Sequence, residues 1–168
     1  MIDIGSIVLG IDPGLNNTGW GLVEKTNMSF RHIANGVIKS KLKWKPEKKL
    51  ENIFDNLEKI ILNYNPKHAA VEKVFVNINA QSALKLGQVR GIILLALSRK
   101  KILVGEYSPN QIKKNLVGYG HATKEQMIKM LYQIFPEIKI FNEDSGDALA
   151  IAICHSMNIR FNIKKEIR

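Results

Sequence analysis

Residues 7–24 read IVLGIDPGLNNTGWGLVE, and the fold is decided there. The apolar run IVLGID (7–12) stops at Pro13-Gly14, a pair that ends a strand and turns the chain. A second strand candidate, TGWGLVE (18–24), follows directly, and SFRHIANGVI (29–38) is a third. Links this short suit hairpins, so the three predict an antiparallel meander.

From Pro46 the period changes. Leu50, Ile53, Phe54, Leu57, Ile60 and Ile61 recur at steps of three and four, which predicts an amphipathic helix ending before Pro66. HAAVE (68–72) is a buried strand candidate, followed by a helical stretch over about 80–99 and a strand at 102–107 (ILVGEY). A strand, helix, strand crossover of that length places the two strands parallel. Ser108-Pro109-Asn110-Gln111 and Thr123-Lys124-Glu125-Gln126 both read as capping boxes that open helices, and a last helix is expected from about Asp144 to Ile159. The order predicts an α/β protein, a five-stranded mixed sheet flanked by helices. No repeat or Pro/Gly/Ser-rich linker divides the chain, so residues 1–168 read as a single domain, with a basic tail after about 160.

Lys and Arg number 25 against 15 Asp and Glu, a formal charge of +10 that favours a polyanionic partner, nucleic acid first. The single cysteine, Cys154, lies in an apolar run and can form no internal disulfide, which fits a reducing cytosol. No signal-peptide pattern and no run of about 20 apolar residues is present, so a soluble, cytoplasmic protein is expected.

If the first strand pairs in parallel with 68–72, Asp12 and Glu72 stand at the carboxyl ends of adjacent strands, where open α/β sheets place their ligand crevice. Asp144 and Asp147, three apart at a helix start, project from one face. Four converging carboxylates repel one another unless a cation joins them. Oxygen-only ligands suit Mg²⁺ or Mn²⁺, and two such ions about 3.5–4 Å apart can hydrolyse a phosphodiester. Each acid also has a plainer reading: Asp12 as a turn initiator, Asp144 and Asp147 as helix-capping charges, Glu72 as a surface residue.

The segments GIDPGLNNTGWG (10–21), VEKVF (71–75), NAQSALKLGQVRG (79–91), QIKKNLVGYGHATKEQ (111–126) and DSGDALAIAICH (144–155) resemble, in order and spacing, those of the RuvC family of Holliday junction resolvases. The resemblance spans nearly the whole chain and implies an RNase H-like (retroviral integrase-like) fold. It implies a Mg²⁺-dependent endonuclease that resolves four-way DNA junctions by symmetric cleavage of two opposed strands in recombination and repair. It matches Asp12, Glu72, Asp144 and Asp147 to the family's metal ligands, although some members carry histidine at the place of Asp144. It also matches Lys113 and Lys124 to lysines near the scissile phosphate, and Phe75 to a ring that inserts beside bases at the junction centre. Otherwise the two lysines read as solvated and Phe75 as a core residue.

Residues 39–49 (KSKLKWKPEKK) crowd lysines, among them Lys41, Lys43 and Lys45, around Trp44, and match nothing in the family pattern. They form a solvated loop or a phosphate-contacting rim. The scattered histidines are read as no metal ligands. In 80–99, Ala83, Gly87 and Gly91 space small residues by four and the second half is apolar nearly all round. A helix buried within the domain explains much of that, and the resemblance adds a homodimer built on this helix, with RuvA and RuvB as further partners. Three other readings stand. A sugar kinase or actin-like nucleotide site needs two lobes; a non-catalytic junction binder would lack an acid; an RNA-processing nuclease would share the acids but not the NAQSALKLGQVRG segment.

Overall fold

The computed structural model describes residues 5–26, 29–73 and 80–166, with 160–166 described by backbone alone. Ten elements follow in the expected order: β1 (Ile7–Asp12), β2 (Asn17–Lys25), β3 (Phe30–Lys39), α1 (Pro46–Tyr64), β4 (His68–Glu72), α2 (Ala80–Arg99), β5 (Leu103–Tyr107), α3 (Pro109–Val117), α4 (Lys124–Ile134) and α5 (Glu143–Glu166). One five-stranded sheet has the order β3-β2-β1-β4-β5. β1, β2 and β3 pair antiparallel, while β1–β4 and β4–β5 pair parallel, so the meander and the crossover are both present.

Strand alternation sends side chains to two cores. Leu9, Ile11, Leu22, Ala69 and Val71 meet Ile53, Leu57 and Ile61 of α1 and Val89, Ile93 and Leu97 of α2. Val8, Val23, Ala70 and Tyr107 face α5, with α3 and α4 packed around it. α1 starts at Pro46, whose fixed φ suits a first helical turn, and stops at Asn65 in the left-handed region, where the Asn65 N–H donates to Ile61 O. Both capping boxes form: the Ser108 and Thr123 hydroxyls accept from the backbone N–H of Gln111 and Gln126.

α5 runs to Glu166, past the expected end near Ile159. Its apolar pattern fades there, but no Gly or Pro follows to stop it. Cys154 is fully buried in the α5 core. Among the described residues, no helix is long and apolar enough to cross a membrane.

Candidate active site

Parallel register sets the site. Ile11 of β1 stands beside Val71 of β4, so Asp12 and Glu72, the next residues, leave adjacent strands together. Both share the face of Val8 and Ala70, which looks toward α5. On the other side Asp12 pairs with Gly19 of β2. A Cβ on Gly19 would lie 2.0 Å from Asp144 O and 2.9 Å from Asp144 Cβ, and one on Gly10 would lie 1.9 Å from Ala148 O. Glycine at these two positions lets the start of α5 rest directly on the sheet, and that carries Asp144 and Asp147 to Asp12.

The four acids feel one another. Burial, then the charges of Asp147, Glu72 and Asp144, push the Asp12 carboxyl up to about 8, against the opposing pull of Lys124. Burial and Asp147 raise Glu72, while Lys113 and Lys124 oppose the shift. Asp147 is raised by burial and, more weakly, by Asp144 and Glu143; Lys124 works in the other direction. Asp12 held so far above its ordinary range, with Glu72 and Asp147 also raised, is a strong demand for positive charge.

The adjoining cavity, about 310 Å³, is lined by Glu72, Lys113, Lys124 and Asp147 with Pro109, Ile112, Met127 and Ile151. α3 and α4 each present residues of their first turns to it, so two helix dipoles turn their positive ends toward the crevice, while α5 contributes Asp147 and Ile151. Lys124 Nζ lies 3.2 Å from Glu143 Oε2 and 3.6 Å from Asp147 Oδ2. Asn142 Nδ2 donates to Asp144 Oδ2 at 2.7 Å.

The donor set fits a hard divalent cation: oxygen atoms alone, high negative charge, and a lysine already drawn toward it. Among the described residues no three acidic, histidine or cysteine side chains stand close enough to hold an ion as they are. With Asn142 on Asp144 and Lys124 on Asp147, an incoming cation competes with both contacts.

Asp12, Glu72, Asp144, Asp147, Lys113 and Lys124 are therefore brought to one crevice, whereas Phe75 lies outside the described residues. Lys41, Lys43 and Lys45 are exposed in the turn between β3 and α1, at the same end of the sheet. Sequence reasoning missed Glu143 and Asn142, which hold Lys124 and Asp144; their only signal is adjacency to the DSGD segment. It also missed Arg90, whose guanidinium donates to Glu72 O at 2.9 Å and pairs with Glu106 at 2.5 Å, bracing the end of β4.

A family model described as crossover junction endodeoxyribonuclease RuvC matches residues 8–155. Crossover junction endodeoxyribonuclease RuvC of Rhizobium johnstonii is 44% identical over 151 residues, 90% of this chain and 89% of its own. That of Sinorhizobium medicae is 44% identical over 90% of both chains. The structure of Thermus thermophilus RuvC in complex with Holliday junction substrate superposes with a TM-score of 0.86 at 30% identity, covering 94% of this chain and 96% of that one. The yeast mitochondrial Holliday junction resolvase Ydc2 shares the fold at 14% identity and a TM-score of 0.67. With matches across nine-tenths of its length, the chain belongs to the RuvC family of crossover junction endodeoxyribonucleases.

Proposed function

We propose that the protein resolves four-way DNA junctions by hydrolysing a phosphodiester in each of two opposed strands, with Asp12, Glu72, Asp144 and Asp147 as its metal ligands. The observation that carries the assignment is geometric: Asp12 and Glu72 leave adjacent parallel strands together, and Gly19 and Gly10 let the start of α5, with Asp144 and Asp147, rest on the sheet beside them. Mg²⁺ is the metal, two ions per site, and Mn²⁺ substitutes. Divalent metal bound there supplies an activated water and neutralises charge on the phosphate.

The chain's own residues do the rest. Lys124, fixed on the first turn of α4 by the Thr123–Gln126 capping box, holds an ammonium beside Asp147 where charge builds on the phosphoryl oxygens. Lys113 does the same from α3, beside Glu72. Phe75 stacks on a base at the junction centre, and Lys41, Lys43 and Lys45 contact backbone phosphates. The working unit is a homodimer, and RuvA and RuvB are its partners in branch migration.

The test is incubation with a mobile four-way junction and Mg²⁺. Symmetric, ligatable nicks are expected from the protein and none from Asp147→Asn. Equal cleavage by both would move the active site elsewhere.

A further inference from the structure

Beside the carboxylate centre, on the β3 side, stands a basic and aromatic surface that the motifs do not account for. Lys39 Nζ lies 5.5 Å from the centroid of the Phe141 ring, and Lys41 Nζ 5.6 Å from that of Trp44. Phe141 precedes Asp144 by three residues and leaves 64% of its surface exposed.

Hydrogen bonds hold this surface in place. Ser40 N donates to Asn16 O at 2.8 Å, and the buried Lys49 donates to Asn16 Oδ1 at 2.6 Å. Both ends of the lysine-rich turn are thus tied to the β1–β2 connection that follows Asp12. Asn35 of β3 accepts from Phe141 N at 3.0 Å and donates to Lys139 O at 3.0 Å. The Phe141 ring is thus presented to solvent beside the Lys39 ammonium, where a base or sugar could reach both.

We propose that Lys39, Lys41, Phe141 and Trp44 form a second DNA-contact surface, gripping the junction arm that flanks the cut strand on the β3 side. The lysines take backbone phosphates, and Phe141 offers its ring to a base or sugar. Lys39 pairs with Asn17, whereas Asp12 pairs with Gly19, so the platform lies two strands from the metal ligands. Two strand spacings are about 10 Å, on the order of three nucleotides along a strand at 3.4 Å per residue. Lys113 and Lys124 lie across the carboxylates on α3 and α4, so the scissile phosphate would be held from both sides.

This rests on the proposed junction-cleaving function, and the experiment separates the two. Binding to a four-way junction is measured in EDTA across a salt series, with cleavage measured separately in Mg²⁺. Lys39→Ala/Lys41→Ala should lower the slope of log affinity against log salt by about 2, one per lost phosphate contact. Phe141→Ala should weaken binding about tenfold without changing the slope, and Phe141→Trp should restore it. Hydroxyl-radical footprinting should show protection about three nucleotides from the cut, lost in the double variant. All these residues except Trp44 are exposed, and thermal melting checks that each variant is folded. If the wild type cuts junctions while slope, affinity and footprint stay unchanged in the variants, the platform is refuted and the surface serves another partner. If the wild type neither binds nor cuts a junction, the proposed function itself fails.

Discussion

Single residues carry opposite pH dependences here. Asp12 titrates at about 8 when folded without metal, against an ordinary carboxyl value of 3.8, so its contribution is full below that value and is lost as pH rises through about 8. Asp12→Asn removes that burden. In EDTA its melting temperature should exceed the wild type's by a margin that grows from pH 5 to pH 8, and saturating Mg²⁺ should shrink the margin by stabilising only the wild type. A margin flat with pH would mean that Asp12 ionises freely. Junction cleavage should be absent in the variant throughout, while junction binding survives or tightens. His155 behaves in the other sense. It is 3% exposed, its Nδ1 bonds the Tyr107 hydroxyl at 2.9 Å, and burial, then nearby His68, lowers it to about 4. Its contribution is present above its ordinary value of 6.5 and is lost as pH falls toward 4, about 3 kcal/mol in all. NMR titration of the folded protein should show the imidazole neutral at pH 5; a midpoint near 6.5 would overturn this.

Among the elements, α5 decides whether the acids meet. An added methyl at Gly19 collides with the Asp144 carbonyl, so Gly19→Ala must lift the start of α5 from β2. Overpacking of this kind costs about 1–3 kcal/mol, or more against backbone. Urea unfolding should register that loss, and calorimetry should show weakened Mg²⁺ binding as Asp144 moves off Asp12. Unchanged Mg²⁺ affinity would mean that the contact does not position the ligand. Much of this was legible in the sequence, because strand period, the stripe of α1 and both capping boxes are local signals. The meeting of Asp12 and Glu72 was legible only on the condition that β1 pairs in parallel with β4, a pairing that the structure has and that the α2 crossover between β4 and β5 does not itself dictate. Long-range polar contacts were not. Asn35 reaches Lys139 and Phe141 across more than a hundred residues, and no periodicity announces it. Nor did the start of α5 reveal that Asn142 and Glu143 hold Asp144 and Lys124, because a polar pair at a helix start looks like ordinary capping.

At the scale of the whole molecule, the exposed stripe of α2 bears on how two cuts are coordinated. Val89, Ile93, Ala96 and Leu97 face the core, while Leu84, Gly87, Gly91 and Leu95 lie on the opposite side, with the two leucines 66% and 52% exposed. A Cβ on Gly87 or Gly91 would meet nothing within 4 Å, so the glycines leave a shallow channel between two leucines. In the proposed homodimer, a second copy laid along this stripe would bury both leucines and relate the two sites by a two-fold axis, matching the symmetry of opposed strands in a four-way junction. Leu95→Glu puts a charge in the middle of that contact. It touches none of the carboxylates, and an exposed position tolerates Glu, so the fold and the metal site should persist. Sedimentation should then find the wild type dimeric and the variant monomeric at the same concentration. On a cruciform plasmid the wild type should give mainly linear product from paired nicks. The variant should accumulate singly nicked circles, because each strand is cut by an independent encounter. A dimeric Leu95→Glu that still pairs its nicks would place the interface on another surface, whereas a monomeric variant with paired nicks would break the link between dimer symmetry and symmetric cleavage.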